Sequence, residues 1–235
     1  DKQLLPYVLN KLTAIEPAFA DQIEYVERLE NFDAVIATGS NNSSRYFEYY
    51  FSKVPHIIRK NRNSVAILSG DETDEELLAL GADIFDYFGL GCRNVSKIFI
   101  PKGYNFNRFF EAIAPYKTIA EHHKYINNYD YNKSIYLVNG ETHLDNGFLL
   151  LKPDETLASP LAVLYYEEYD DLKSLEAKLA AHTDEIQCVA SMHAIELKNQ
   201  VVPFGYTQKP RLWDYADGVD LIQFLMKGTD TIAGK

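Results

Sequence analysis

Cysteine is scarce in this chain of 235 residues, which contains only Cys92 and Cys188. Two cysteines cannot supply the framework of several disulfides that stabilises small secreted domains, so we expect a reducing, cytoplasmic compartment. Basic residues are also few, since 23 lysines and arginines accompany 34 acidic residues and leave a net charge of −11. This negative charge argues against non-specific nucleic-acid binding and against docking on an anionic membrane surface.

The chain also lacks long apolar runs, internal repeats and low-complexity linkers. No run reaches membrane-spanning length and the first residues have no signal-peptide layout, so we expect no membrane span. Hydrophobic residues still make up 46% of the chain, which is enough for a sizeable core. The first residue is Asp1 and the first segment resembles the middle of a fold, so we expect a piece of a longer chain.

Short apolar segments alternate with amphipathic segments along the chain. Apolar residues at helical spacing predict helices over residues 4–12, 21–31, 45–51, 74–88 and 172–181. Short apolar runs predict strands over residues 32–38, 64–68, 97–101, 135–138, 148–151, 161–165 and 186–190. Thr73 and Glu76 have the spacing of a capping box at the start of the fourth helix. Strands that alternate with helices indicate an α/β fold with a mostly parallel sheet and flanking helices.

Cys92 lies on a glycine-flanked loop between a predicted helix and a predicted strand. Gly89 and Gly91 end the helix and carry no side chain, so a substrate can approach the thiol closely. The negative end of the helix dipole disfavours a thiolate here, so activation must come from backbone N–H groups, Arg93 or groups elsewhere. On this loop alone, a packed thiol is the commoner role. Cys188 lies in an apolar strand and is interpreted as a small buried side chain.

A polar turn at residues 38–45 is the second candidate site, and it follows the first predicted strand. It begins with Thr38, Gly39 and Ser40. A strand that ends in Gly-Ser before a helix is typical of a site for a polar or phosphorylated ligand. The segment is neither a dinucleotide-binding Gly-x-Gly-x-x-Gly nor a P-loop, and a capped strand-to-helix turn explains it equally well.

A segment rich in tyrosine and asparagine, residues 122–132, begins with His122 and His123. Adjacent histidines point in different directions and rarely bind one metal ion together, so we expect no metal site. Either histidine is a candidate base for Cys92, which would indicate a thiol hydrolase or acyltransferase. A polar surface segment with some aromatic packing is the favoured interpretation.

The order and spacing of four landmarks resemble the aldehyde dehydrogenase superfamily. They are a strand ending in Thr-Gly-Ser with an arginine beyond it, a nucleophile motif, a proline before a strand, and a Pro-Phe-Gly turn. In this chain they are Thr38, Gly39, Ser40 and Arg45, then Gly89, Cys92, Ser96 and Lys97, then Ser159 and Pro160, and finally Pro203, Phe204 and Gly205. Within the superfamily, residues 37–50, 87–96 and 212–220 resemble the LuxC-type acyl-CoA reductases.

The resemblance implies an aldehyde dehydrogenase-like α/β fold that lacks the N-terminal part of the cofactor domain. It implies that residues 1–55 are the C-terminal part of the nucleotide-binding domain, residues 56–210 the catalytic domain, and residues 211–235 a C-terminal segment. It implies NADPH-dependent reduction of a fatty acyl thioester to an aldehyde. Cys92 is then the nucleophile that carries the acyl group, and Thr38, Gly39 and Ser40 lie at NADPH.

The resemblance also implies partners. These are an acyl-CoA or acyl-protein substrate, acyl-transferring proteins, and further copies of the chain in a homo-oligomer.

Two positions depart from the pattern of aldehyde-oxidising members. Such members carry a glutamate that activates water to hydrolyse the acyl-enzyme, and Ile58 stands at that position here. An enzyme that reduces its thioester is better off without this base. Thr156 stands where many members have the glutamate that holds the nicotinamide ribose. The family's oxyanion asparagine lies upstream of anything that corresponds to Asp1, so we expect that this piece alone cannot complete a catalytic cycle.

Two alternatives stay open at this point. One is a cofactor-free thiol acyltransferase or thioesterase that uses Cys92 with His122 or His123. The other is a non-catalytic interaction domain descended from a dehydrogenase.

Overall fold

The computed structural model describes residues 2–230, with side chains up to residue 227. Helix α1 (Leu4–Ile15) opens the chain and is followed by a short 3₁₀ helix, Pro17–Gln22. The helix predicted over residues 21–31 is wrong, because residues 23–34 are irregular. The apolar residues that suggested it, such as Tyr25 and Leu29, are exposed. A short helix without a packing partner is only marginally stable.

A small parallel sheet follows. Strand β1 (Val35–Thr38) pairs with β2 (His56–Arg59), and helix α2 (Asn41–Tyr50) connects them. Ser40 caps α2, since the backbone N–H of Ser43 donates to its hydroxyl at 3.2 Å. The predicted strand and helix here are therefore confirmed, with shifted ends. The boundary placed after residue 55 and the one after residue 210 stay predictions.

The main sheet has seven strands in the order β5-β6-β7-β4-β3-β8-β9. Their bounds are Asn63–Ile67 for β3, Val95–Pro101 for β4, Leu144–Asp145 for β5, Leu150–Pro153 for β6, Val163–Tyr169 for β7, Ile186–Ser191 for β8 and Gln200–Val202 for β9. Every neighbouring pair is parallel except β5 with β6. The prediction of a mostly parallel sheet is confirmed.

Five further helices accompany this sheet: α3 (Asp74–Phe85), α4 (Phe106–Ile113), α5 (His123–Asn139), α6 (Leu172–Ala181) and α7 (Leu221–Asp230). The capping box of α3 is confirmed, with Thr73 and Glu76 each accepting from the other's backbone N–H.

The strand predicted over residues 135–138 is wrong, because it lies inside α5. The buried side chains of that helix, Tyr125, Tyr129, Asn132 and Tyr136, recur at helical spacing. Packing of this buried face stabilises the helix and outweighs the strand preference of the apolar residues near the C-terminal end of α5.

The core lies on both faces of the main sheet. Ala66 and Leu68 of the β3 region join one hydrophobic cluster with residues of α3, α4 and α5. Val65 and Ile67 join a second cluster with Leu175 of α6. Successive side chains of a strand point to opposite faces, so a strand covered on both faces is a continuous apolar run. Within residues 2–230, no helix is long and apolar enough to cross a membrane.

Candidate functional site

A cleft of about 780 Å³ lies between the small sheet, the loop that carries Cys92, and the C-terminal segment. Thr38 lines it from the end of β1, and Cys92 lines it from the loop before β4. The structure therefore brings together two residues that are 54 positions apart in the sequence (92 − 38). Gly39 and Ser40 are adjacent to Thr38 in the chain but do not line the cleft.

Gly39 and Ser40 shape the turn that places Thr38. The backbone N–H of Gly39 donates to the carbonyl of Arg59 at 3.1 Å and extends the pairing of the small sheet. A Cβ atom at Gly39 would lie 2.9 Å from Cβ of Ser43, so a side chain does not fit there. Ser40 is the N-cap of α2. Their roles at a cofactor stay a prediction.

Cys92 is exposed to the cleft, whereas Cys188 is buried. The hydroxyl of Ser64 joins the two cysteine positions: it donates to the carbonyl of Cys92 at 3.0 Å and lies 3.1 Å from Sγ of Cys188. Burial raises the pKa of Cys188, which keeps that thiol protonated. The interpretation of Cys188 as a packed side chain is confirmed.

Asn94, a buried residue two positions after Cys92, fixes the loop. Its Oδ1 accepts from the backbone N–H of Gly91 at 2.8 Å. Its Nδ2 donates to the carbonyl of Asp86 at 2.8 Å and to that of Asp83 at 3.1 Å. The amide thus satisfies carbonyls at the end of α3 that have no partner in the helix. Sequence reasoning missed Asn94, although an asparagine just beyond a helix end is a typical partner for such groups.

The backbone before Cys92 is left-handed at three consecutive residues. Tyr87, Phe88 and Gly89 have φ angles of 53°, 60° and 72°. This conformation costs a non-glycine residue roughly 1–2 kcal/mol, so the surrounding contacts must hold it. One such contact is the ring of Phe88, which stacks on His122 at 4.0 Å between centroids. The prediction that helix α3 reaches Phe88 is wrong, because α3 ends at Phe85.

The stacking also places the two histidines. The His122 ring lies against Phe88, and neither His122 nor His123 lines the cleft. The structure does not bring either of them to the cleft as a base for Cys92.

The Pro-Phe-Gly landmark is tied to the same helix end. The buried carboxylate of Asp83 accepts from the backbone N–H of Gly205 at 2.6 Å. It also accepts from the backbone N–H and hydroxyl of Thr207 at 3.0 and 2.8 Å. Burial raises the pKa of Asp83, and these hydrogen bonds oppose it. Arg93, next to Cys92, donates to the carbonyl of Thr207 and, at 2.9 Å, to the side chain of Gln200.

Ser96 and Lys97 fix another wall of the cleft. The hydroxyl of Ser96 donates to the carbonyl of Leu157 at 2.7 Å. The fully buried ammonium of Lys97 donates to the carbonyl of Glu155 at 2.9 Å and to the carboxylate of Glu167 at 2.6 Å. Burial lowers the pKa of Lys97, although Glu167 opposes this shift. These two residues of the nucleophile motif therefore position the segment that lines the cleft at Thr156 and Leu157.

Asp154 holds Thr156 in this wall. Burial raises the pKa of Asp154, but hydrogen bonds from Thr156 and the contact with Lys152 outweigh burial and lower it from 3.8 to about 2. A depressed carboxylate pKa stabilises the fold above pH 3.8, and this contribution is lost as the pH falls towards 2.

Replacing Asp154 by asparagine should therefore destabilise the protein by about 2 kcal/mol at pH 6 and by less at pH 3. Urea unfolding at both pH values checks this. Asp130→Asn, at an exposed position of α5, is the matched control and should change neither value. A penalty for Asp154→Asn that is equal at the two pH values contradicts the prediction.

The cleft is more positive than the rest of the chain. Four cationic side chains and three carboxylates line it: Arg59, Lys60, Arg62 and Arg93 with Glu185, Asp214 and Asp217. The whole chain carries a net charge of −11. Arginines and an exposed thiol in one cleft suit a ligand with phosphate groups and a reactive carbonyl. Within residues 2–230, no group of three or more His, Cys, Asp or Glu side chains could hold a metal ion.

No protein-family model matches the chain, and no curated protein does. Solved structures match it. The aldehyde dehydrogenase KauB from Pseudomonas aeruginosa gives a TM-score of 0.52 at 11% identity, over 74% of this chain and 45% of that one. The betaine aldehyde dehydrogenase BetB from Staphylococcus aureus, solved in complex with NAD⁺, gives 0.51 at 11% identity, over 72% of this chain and 43% of that one.

At such identities the likeness establishes the fold alone. The chain has an aldehyde dehydrogenase-like α/β fold, as the resemblance implied. It spans less than half the length of the two enzymes.

Proposed function

We propose that this chain is part of an acyl-CoA reductase of the LuxC type, an oxidoreductase of the aldehyde dehydrogenase superfamily that uses NADPH. The substrate is an acyl-CoA or an acyl-protein, and the product is an aldehyde. The observation that carries the proposal is the exposed Cys92 in a cleft where each lining carboxylate already has a partner.

These partners bear on the choice between reduction and hydrolysis. Asp214 accepts from the backbone N–H of Arg211 at 2.8 Å, and Glu185 contacts the ring of His182 at 3.0 Å. Asp217 faces two arginines. A carboxylate that already faces another side chain or a backbone N–H is less available to orient a water molecule. Ile58 on β2 is apolar and cannot act as a general base. An acyl group on Cys92 is therefore protected from hydrolysis and available for reduction.

The chemistry of this chain's residues then has three steps. The Cys92 thiolate attacks the thioester carbonyl of the substrate, and the backbone N–H of Cys92 contributes to stabilising the oxyanion. The carbonyl re-forms, the CoA thiolate leaves, and Cys92 carries the acyl group as a thioester. Reduction of the thioester gives a thiohemiacetal anion, whose carbonyl re-forms as the carbon–sulfur bond breaks, which releases the aldehyde and regenerates the Cys92 thiolate. NADPH, when bound, supplies the hydride for the reduction.

The fit of the cleft to the cofactor depends on Thr38 and on the arginines at the end of β2. Thr38 and Cys92 line the same cleft, so Thr38 would help to hold a nicotinamide cofactor beside Cys92. Gly39 and Ser40 are proposed to act through the shape of the turn, since they lie outside the lining.

The test is acyl-CoA-dependent oxidation of NADPH by the complete protein, with the aldehyde trapped as a hydrazone. We expect equal amounts of NADPH consumed and aldehyde formed. Loss of the acyl-CoA thioester without NADPH would instead support the thiol acyltransferase or thioesterase. If neither acyl-CoA nor NADPH is consumed, the interaction domain is the better assignment.

A further inference from the structure

Two arginines in the cleft face a single carboxylate. Nε of Arg62 lies 3.5 Å from Oδ1 of Asp217, and Nε of Arg59 lies 3.8 Å from Oδ2 of the same side chain. The three side chains are only 27% (Arg59), 19% (Arg62) and 14% (Asp217) exposed. All three line the cleft that contains Cys92. Two largely buried guanidinium groups thus face the position of a single anion.

The carboxylate does not saturate these donors. Charge-assisted hydrogen bonds between guanidinium and carboxylate are about 2.7–2.9 Å long, and both distances here are well above that range. Nε of Arg59 is buried and has no hydrogen-bond partner within the described part of the chain. One Nη of Arg62 donates a hydrogen bond to the carbonyl of Ile186 at 3.3 Å. A buried donor left unpaired is costly, so an anion with more oxygens than a carboxylate would bind here favourably.

Asp217 lies on a short 3₁₀ turn, Ala216–Gly218, in the C-terminal segment. The backbone hydrogen bonds of the turn are local, from the N–H of Gly218 to the carbonyl of Tyr215 at 3.0 Å and from the N–H of Val219 to that of Ala216 at 3.2 Å, and Asp217 has a left-handed φ of 59°. The nearby side chains of Leu212 and Trp213 are 96% and 66% exposed. Little apolar packing therefore holds this part of the C-terminal segment in place.

Phosphate suits the arginine pair better than carboxylate does. The planar guanidinium donates two parallel hydrogen bonds to phosphate oxygens, and phosphate offers three oxygens in place of two. The ligand classes of the proposed function, CoA and a nicotinamide dinucleotide, both carry phosphate groups.

We propose that Arg59 and Arg62 form a binding site for phosphate groups of the ligand that reacts at Cys92, and that Asp217 competes with the phosphate for the same donors. Binding then displaces the Ala216–Gly218 turn from the arginines. The choice of CoA or dinucleotide as the source of the phosphate rests on the proposed function. The phosphate site itself is inferred from the charges and distances of Arg59, Arg62 and Asp217 and does not depend on the proposed function.

The decisive variant is Asp217→Asn, because it keeps the size of the side chain and removes the competing charge. Titration calorimetry of the complete protein with inorganic pyrophosphate should show binding that is several-fold tighter than in the unmodified protein. The matched control is Asp214→Asn, which removes a carboxylate from the same cleft whose hydrogen-bond donor is the backbone N–H of Arg211. This control should leave the affinity unchanged.

The arginines are tested in the Asp217→Asn background. Arg59→Gln and Arg62→Gln should each cancel the gain, and the melting temperature of every variant checks that it is folded. No gain in Asp217→Asn, or a gain that persists without both arginines, overturns the site. Since the decisive result is tighter binding, a misfolded variant cannot imitate it.

Parallel titrations with CoA and with NADPH identify the source of the phosphate. The natural ligand is the one whose affinity follows the same pattern across the variants. A pattern seen with pyrophosphate but with neither CoA nor NADPH overturns the assignment to ligand phosphates. None of these titrations involves turnover, so failure of NADPH oxidation with intact binding rejects the proposed function and leaves the site standing.

Discussion

Replacing Cys92 by alanine should abolish covalent acylation of the protein by acyl-CoA. In the unmodified protein we expect intact mass to rise by one acyl group without NADPH, because no reductant is present to release the thioester. The thiol of Cys92 is the exposed one, and it lies in the cleft. A thiolate is the only group in the proposed chemistry that attacks the carbonyl, so the loss should be complete.

Cys188→Ala is the matched control for this experiment. Cys188 is buried and its thiol lies 3.1 Å from the Ser64 hydroxyl, so it should not be acylated. Its removal should lower stability by about 1 kcal/mol and leave the adduct in place. An adduct that survives in Cys92→Ala, or the absence of any adduct in the unmodified protein, contradicts the assignment of Cys92.

Replacing Asn94 by leucine should have the next largest effect. The substitution keeps a similar volume but removes the acceptor of the Gly91 N–H and the donor to the carbonyls that end α3. Several buried polar groups then lose their partners, at about 1–3 kcal/mol each. We expect a loss of about 3 kcal/mol in total and a melting temperature lower by about 10 °C.

The same variant should slow acylation at Cys92. Asn94 joins the two ends of the turn that places the thiol, so its loss frees a backbone that is left-handed at Tyr87, Phe88 and Gly89. Well below the melting temperature, we expect acylation to slow by more than tenfold, because misplacing a reacting atom by about 1 Å can cost on the order of 100-fold.

Asn107→Leu, at an exposed position of α4, serves as the control for Asn94→Leu. It should change neither the melting temperature nor the rate by much, since surface substitutions stay within about 0.5 kcal/mol. An Asn94→Leu protein that melts lower but acylates at the normal rate would limit Asn94 to a purely structural role.

Much of the fold follows from local signals. The capping box at Thr73 and Glu76 forms as predicted because its hydrogen bonds join residues three apart. The helix over residues 172–181 was predicted with the bounds that the structure shows. Strands of the main sheet were predicted from short apolar runs, because parallel strands are buried on both faces.

Local signals fail where a segment depends on its partners. Residues 135–138 have a strand-like composition, but the buried tyrosines of α5 fix a helix there. Residues 21–31 have helical spacing, but their apolar side chains are exposed, so no packing supports a helix. In the first case packing overrides the local preference, and in the second its lack leaves the local preference without support.

The sequence by itself determined the class of fold, the position of a cysteine on a glycine-flanked loop and the order of the landmarks around it. These depend on residue type and on short spacing. Only the tertiary structure decided what holds the site together. Asp83 binds residues more than 120 positions away at Gly205 and Thr207, and Arg59 faces Asp217. Hydrogen bonds and ion pairs between residues so far apart in the sequence leave no periodic pattern in it, because they depend on where the sheet places its loops.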